Sequence, residues 1–185
     1  AQLLAEAIED SRAEEGERSR MLARVGSLRR EADRLREILS DFLEFAGQMR
    51  LDKRPTDLNA LVGELVDFFT PEAQRHGVRL RAELTPGGLT ATVDPKLIKQ
   101  ALLNLMLNAT QAMDSARGTE NGRARELILR TLEAREPDGG EVARIEVIDT
   151  GPGVAQELKE RIFEPYFTTK SGGSGLGLPT TRRIV

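Results

Sequence analysis

From Met21 onward, apolar residues fall at Met21, Val25, Leu28, Ala32, Leu35, Leu39, Phe42, Ala46 and Met49. This alternation of four- and three-residue steps runs for about four heptads and demands a helix that offers one continuous apolar seam to another helix. Leu22, Ile38 and Phe45 widen the stripe, which favours a four-helix bundle over a two-stranded coil. Some 30 residues at ~1.5 Å each give a helix of roughly 45 Å, which outreaches a small domain. A solvated helix packed on its own domain is the alternative. Upstream, Leu3, Leu4, Ala7 and Ile8 recur at helical spacing within Gln2 to Ser11. Glu14 to Glu17, with Gly16, reads as the turn of an antiparallel hairpin. The arms are unequal, roughly 10 residues against roughly 30, so about 20 residues of the first arm are expected to lie outside the chain.

Composition narrows the classes. At 185 residues the chain has room for one domain, or one domain with a helical appendage. It has no Cys, which excludes a disulfide scaffold, a zinc–thiolate site and thiol chemistry, and fits a reducing compartment. The longest charge-free helical run, Gln100 to Met113, is interrupted by Asn104 and Asn108 and falls short of the ~18 apolar residues that span a bilayer. No basic segment followed by an apolar one opens the chain, so no signal peptide is read. Lys and Arg number 27 against 30 Asp and Glu, and without an excess of cations to release counterions no nucleic-acid partner is expected. The expectation is a soluble, cytoplasmic protein without membrane contact of its own.

The second part alternates between helix and strand. Leu51 to Pro55 reads as a linker, and Asp57, or Thr56 before it, caps a helix carrying Leu58, Leu61, Val62, Leu65, Val66 and Phe69 that ends at Gly77. Val78, Leu80, Ala82 and Leu84 alternate as a strand, Pro86 to Gly88 turn, and Thr90 to Val93 form a short strand. Asp94 followed by Pro95 opens a helix to about Met113, and Arg117 to Arg125 is a polar loop. Glu126 to Arg135 and Val142 to Asp149 flank Pro137-Asp138-Gly139-Gly140 as an antiparallel hairpin. The grouping predicts an α+β two-layer sandwich rather than a doubly wound parallel sheet.

Four local features carry chemistry. Asn104 and Asn108 stand four apart on one helix face, with Gln111 a further turn along. An amide beside a core needs a hydrogen bond or something to coordinate, and its oxygen suits Mg²⁺. Taken alone, the pair is better explained as a plain polar helix face. The strand Ile145 to Ile148 runs into Asp149-Thr-Gly-Pro-Gly153, an acceptor followed by glycines where backbone can approach a flat ligand, or an ordinary strand-to-loop turn. Ile162 to Lys170 packs three of the chain's seven aromatics beside a lysine, reading as a covering loop whose cation meets phosphate or solvent. Gly172-Gly-Ser-Gly-Leu-Gly177 precedes a helical pattern and can offer backbone N–H groups to anionic oxygens, or serve as a flexible link. It is not a Walker A loop, since no Gly-Lys-Ser/Thr follows, and it does not follow a first strand as a dinucleotide fingerprint does.

Taken in order, Asn-x-x-x-Asn, DTGPG, IFEPYF and GGSGLGL resemble the N, G1, F and G2 boxes of the ATP-binding domain of sensor histidine kinases. The wording LLNLMLNATQAM, FEPYFTTK and GLGLPTTRRIV is most similar to the nitrogen-regulation type. The resemblance spans residues 55–185, and residues 1–50 resemble the family's dimerisation and phosphotransfer hairpin. It implies the Bergerat-type α/β sandwich of the gyrase, Hsp90, histidine-kinase and MutL superfamily, and a homodimer through a four-helix bundle. It further implies ATP and Mg²⁺ as cofactors, phosphoryl transfer to a histidine on the dimerisation helix, and relay to a response-regulator receiver domain. By the same resemblance Asn108 coordinates Mg²⁺ with Asn104 beside it, and Gln111 lines the site. Asp149 accepts the adenine amino group, and Gly151, Gly153 and Val154 lie along the base. Phe163 and Phe167 anchor a lid with Thr168, and Lys170 reaches the phosphates. Gly173, Ser174, Gly175, Leu176 and Gly177 wrap them. Where Asn104 stands, related ATPases carry a water-activating Glu; an amide cannot act as a general base, so the implied reaction is transfer rather than hydrolysis.

The chain departs from this pattern in two places. The family's acceptor sits in a His-Glu-x-x-x-Pro segment, whereas the one His here, His76, is followed by Gly-Val-Arg-Leu and reads as a structural or surface residue. The acceptor is therefore expected in the part of the first arm outside the chain. The family pattern also continues past Ile184-Val185 with further strands, so a fragment of a longer kinase, one that could be membrane-anchored, is expected. Such a fragment binds Mg²⁺-ATP without phosphorylating itself. The alternatives are a non-catalytic nucleotide-binding or dimerisation scaffold, and a Ser/Thr kinase or ATPase of the same superfamily.

Overall fold

One long helix carries the apolar seam read from sequence. In the computed structural model, which describes residues 15–47, 50–115, 124–170 and 173–185, α1 runs Glu15–Ala46. Gly16 therefore lies inside its first turn, not in a hairpin turn, which corrects the reading from sequence. Glu15 and Glu17 flank that glycine, which costs ~1 kcal/mol inside a helix. The helix proposed for Gln2 to Ser11 lies outside the described residues, as do Met49 and the side chains of Phe45 and Ala46. Along the seam Val25 is buried, whereas Leu28, Leu35 and Leu39 are 69%, 59% and 56% exposed. The single chain leaves that seam largely uncovered.

Downstream, the stretch read as a linker contributes a strand. Arg54–Asp57 (β1) pairs antiparallel with Thr90–Val93 (β3), Arg54 opposite Val93 and Asp57 opposite Thr90. Pro55 obscured it, yet in a two-stranded ribbon every strand is an edge, where a missing N–H is tolerated. Asp57 caps α2 (Leu58–Arg75), its Oδ1 accepting from the N–H groups of Asn59 at 2.9 Å and Ala60 at 3.2 Å. After β2 (Arg79–Glu83) and β3, Asp94 starts α3 (Pro95–Ser115).

Strands β4 (Glu126–Arg135) and β5 (Glu141–Asp149) form the hairpin read from sequence, with Leu127 opposite Asp149. The larger sheet has the order β2-β4-β5, with β2 parallel to β4. Helices α2 and α3 lay one apolar face each on it. Val62, Phe69, Met106, Met113, Leu127 and Leu129 are all at most 3% exposed and lie in one core cluster. The protein is thus a mixed α+β fold with a helical layer on a sheet, preceded by a long helix. Short turns of helix at Gln156–Leu158 and Arg161–Phe163 lead to α4 (Gly177–Ile184), which packs on α3. No helix of the described residues is long and apolar enough to cross a membrane.

Candidate functional site

Helix α3 is the element on which every part of the site rests. Asp94 fixes its start: Oδ1 accepts from the N–H groups of Lys96 at 3.0 Å and Leu97 at 3.2 Å, while Oδ2 accepts from the N–H of Asp52 at 2.9 Å. The Asp52 bond above all, then those from Leu97 and Lys96, holds the Asp94 carboxyl below its ordinary range against the opposing effect of burial. With its inner face committed to Met106, Ala109 and Met113, α3 turns Asn104, Asn108 and Gln111 to the other side. Their seven-residue span covers about 10 Å along the axis.

Two segments distant in sequence meet that row. Lys170 donates from Nζ to Asn108 Oδ1 at 2.9 Å and to Gln111 Oε1 at 2.8 Å. An ammonium has donors only, so both amides must present their oxygens to it. Burial of Lys170 lowers the pKa of its ammonium below the ordinary lysine range. The start of α4 approaches from the other side. A Cβ on Gly177 would stand 3.7 Å from Asn108 Nδ2 and 3.9 Å from Asn104 Cγ, and Asn104 Nδ2 makes a long, 3.5 Å contact to the Gly177 carbonyl.

The loop after β5 reaches the far end of the same helix. Asp149 is exposed, and its Oδ1 accepts from the N–H of Gly151 at 2.8 Å. A Cβ at Gly151 would lie 2.8 Å from that oxygen and 3.3 Å from Met113 Cγ. A side chain there would push on the carboxylate and the methionine, so the glycine keeps Asp149 in its hydrogen-bonded position. Thr150 ties the loop to the sheet, accepting from Glu126 N–H at 2.9 Å and donating to the Ala124 carbonyl at 3.1 Å.

Between these ends lies a clasp. The N–H of Tyr166 donates to the Gly175 carbonyl at 3.1 Å. Gly175 has φ +68°, and a Cβ there would sit 2.5 Å from the Tyr166 carbonyl carbon and 2.8 Å from the Phe167 oxygen. Tyr166 itself has φ +67°, a conformation that persists in a non-glycine residue only where its surroundings impose it. The half-buried rings of Phe163 and Phe167 lie under guanidiniums, Arg182 at 5.7 Å and Arg161 at 4.4 Å. Thr168 Oγ1 accepts from Lys170 N–H at 3.1 Å, and a Cβ on Gly173 would come within 2.9 Å of it. Ser174 Oγ accepts from Leu176 N–H at 3.4 Å, and Leu176 is buried.

Of the residues singled out in the sequence, Asn104, Asn108, Gln111, Lys170 and Gly177 meet at one place. Asp149 and Gly151 join the same helix through Met113. Thr168, Gly173, Ser174, Gly175 and Leu176 build the clasp and its flanks. Gly153 has φ +74° with open space beside it, and Val154 is 45% exposed; no hydrogen bond among the described residues ties Val154 to α3. Met113, Thr150, Arg161, Tyr166 and Arg182 were not anticipated. Met113 carried a signal, being seven residues from Met106 and so on the same helix face; the left-handed Tyr166 carried none. His76 ends α2, with Nε2 3.2 Å from Glu72 Oε1 and Nδ1 3.2 Å from Asp114 Oδ2, a structural setting.

Residues 93–185, just over half the chain, match the family model described as histidine kinase-, DNA gyrase B- and HSP90-like ATPase. The chain is 35% identical over 156 residues to the sensor histidine kinase ZraS of Klebsiella oxytoca, covering 84% of this chain and 31% of that protein. It is 33% identical over 156 residues to the signal transduction histidine-protein kinase AtoS of Escherichia coli K12, covering 84% and 24%. It thus spans about a third or less of these relatives. Among solved structures, full-length ShkA in complex with AMPPNP superimposes with a TM-score of 0.70 at 28% identity, covering 98% of this chain and 36% of that one. The histidine kinase ThkA in complex with the response regulator TrrA gives 0.64 at 27% identity, covering 87% and 42%.

Proposed function

The chain belongs to the family of histidine kinase-, DNA gyrase B- and HSP90-like ATPases, and on that premise we propose that it is the ATP-binding kinase core of a two-component sensor histidine kinase. In this reading residues 55–185 form the catalytic domain and residues 1–50 a dimerisation and phosphotransfer hairpin. The observation that carries it is the meeting of Asn108, Gln111 and Lys170 on α3, at 2.8 to 2.9 Å, beside the glycine that opens α4.

The residues suit Mg²⁺-ATP by their chemistry. Carboxamide oxygens are hard donors of the kind Mg²⁺ accepts alongside water and phosphate, and Asn108 with Asn104 would hold it. When bound, the ion neutralises charge on the phosphate oxygens. The chain's own groups do the rest. Asp149, its Oδ1 steadied by Gly151 N–H, accepts the adenine amino group and so selects adenine over guanine. Lys170 exchanges its amide partners for phosphate oxygens, where a point charge is worth more. The clasp between Tyr166 and Gly175 positions Thr168 to Leu176 around the phosphates. Asn104 offers no base to activate water, so the γ-phosphate passes to an imidazole. His76, held between Glu72 and Asp114, is not that imidazole. These 185 residues therefore bind ATP without labelling themselves, and the acceptor histidine is presented on a separate helix of the dimerisation bundle. Relay then proceeds to a response-regulator Asp, a partnership supported by the ThkA–TrrA complex.

Two measurements test this reading. Calorimetric titration with ATP, with and without Mg²⁺, should show metal-dependent binding. Radiolabelled ATP should leave the chain itself unlabelled and place acid-labile phosphate on an added His-bearing helical fragment. Binding without transfer favours a non-catalytic scaffold; acid-stable phosphate or steady phosphate release favours a Ser/Thr kinase or an ATPase.

A further inference from the structure

Lys170 is an ammonium held by neutral partners. Its Nζ engages Asn108 Oδ1 and Gln111 Oε1 across 62 and 59 residues of sequence. Among the described residues no carboxylate forms an ion pair with it, although Asp, Glu, Lys and Arg make up 31% of the chain. Lys170 is half-buried, and carboxamide dipoles compensate a desolvated charge only in part. The arrangement satisfies three geometric needs together. It points both amide oxygens to the same spot, places a positive charge where the reading above puts a metal ion, and ties the segment to α3 at its Lys170 end. A group that fills a cation site with a cation of its own, yet binds it through neutral ligands, is arranged for exchange.

We propose that Lys170 is a resident placeholder cation: without nucleotide its ammonium occupies Asn108 Oδ1 and Gln111 Oε1 and latches the 164–170 segment onto α3, and a polyphosphate anion opens the latch by drawing the ammonium away. This rests on the nucleotide reading of the same site. Two consequences follow. A divalent ion alone competes poorly, because the tethered ammonium is present at high effective concentration. Anion and metal therefore enter together: the anion takes the ammonium, and the vacated amide oxygen becomes available to the metal. The latch also keeps both amides in the orientation that a cation requires, so that no flip is needed on binding.

The absence of Cys makes a direct test possible. A nitroxide on Thr169→Cys, an exposed position next to the lysine, reports segment mobility by its electron paramagnetic resonance line shape. In nucleotide-free protein Lys170→Met, which keeps the stem and removes the donors, should raise the mobile-to-immobile ratio roughly tenfold, the worth of charge-assisted hydrogen bonds at a half-exposed site. Asn108→Asp should move it the other way, since a carboxylate holds the ammonium more tightly. A role in packing alone would not produce that reversal. Tripolyphosphate with chelator and no metal should change the label's line shape in otherwise wild-type protein and leave the Lys170→Met variant unchanged. Equal line shapes for wild type and Lys170→Met overturn the latch. An Asn108→Asp label as mobile as wild type overturns the placeholder role. Calorimetry with ATP on the unlabelled chain reads the nucleotide site separately. Protein that binds no ATP refutes the nucleotide reading and with it the release step, whereas binding with an unresponsive label refutes the release step alone.

Discussion

Replacing Gly175 by alanine tests the clasp at the residue where two penalties coincide. At φ +68° an L-residue with a Cβ costs about 1–2 kcal/mol. The same Cβ would lie 2.5 Å from the Tyr166 carbonyl carbon, where carbon atoms normally rest at about 3.5 Å or more, so backbone must move by roughly 1 Å. Overpacking of that kind costs about 1–3 kcal/mol more. A combined local cost of at least about 2 kcal/mol reduces the closed-to-open ratio by roughly thirtyfold. The Tyr166 amide, bonded to the Gly175 carbonyl, reports that ratio through its hydrogen-exchange protection. Gly153→Ala isolates the backbone penalty, since Gly153 has φ +74° but open space where its Cβ would go. The expected order is a large loss of Tyr166 protection for Gly175→Ala and none for Gly153→Ala, whose strain stays in its own loop. ATP affinity should fall with the clasp. Unchanged Tyr166 protection in Gly175→Ala would refute the reasoning, because no placement of the methyl group avoids both the clash and the strain.

Asp149→Asn should weaken ATP binding by about 1.5–3 kcal/mol, ten- to a hundredfold, as a charge-assisted contact is lost, read by calorimetry. Thr110 is 2% exposed and its hydroxyl has no hydrogen-bond partner among the described residues, so Thr110→Val should stabilise by about 1 kcal/mol and raise Tm by about 2–4 °C; a drop would show that the hydroxyl has a partner. Asp94 has a folded pKa below its unfolded one, so its stabilisation is complete above the ordinary carboxylate value and is lost as pH falls through the lowered one. Wild type and Asp94→Asn should accordingly differ in Tm at neutral pH and converge in strong acid. In the proposed bundle Leu35, 59% exposed on the seam, packs against a second copy, so Leu35→Glu should shift the wild-type dimer this reading expects to monomer in sedimentation equilibrium while leaving core packing untouched.

Legibility in the sequence followed the range of the interaction. Caps at Asp57 and Asp94, the hairpin between Glu126 and Asp149 and the amide row on α3 depend on neighbours within a few residues, and each was readable. Strand β1 was hidden because pairing with Thr90–Val93, over 30 residues away, outweighed the local signal of Pro55. Gly16 misled for a different reason: a glycine usually marks a turn, but here it lies within a helix. Within the site, residue types were legible and partners were not. Nothing local pairs Lys170 with Gln111, or sets Met113 beneath Gly151. Tyr166 has a left-handed backbone where Gly175 closes over it, and Arg161 and Arg182 read from sequence as surface cations until the rings of Phe167 and Phe163 lie beneath them.

Asp94 and Arg183 give the site a bearing on the long helix. Asp94 caps α3, which carries the amide row, and with its second oxygen holds the N–H of Asp52. Arg183 stands on α4, which begins at the glycine beside Asn104 and Asn108, and donates from Nη2 to the Gly47 carbonyl at 2.9 Å. Gly47 follows the last residue of α1, and Asp52 lies just before β1. The two ends of the connection out of the long helix are therefore anchored on two different helices of the site. Both anchors are hydrogen bonds to backbone, insensitive to which side chains the connection carries, so what they transmit is position. Any ligand that changes the spacing of α3 and α4 at Asn108 and Gly177 must stretch the connection, release Arg183, or move α1. Arg183 is exposed, whereas Asp94 is buried, so solvent competes for the Arg183 contact more than for the Asp94 one.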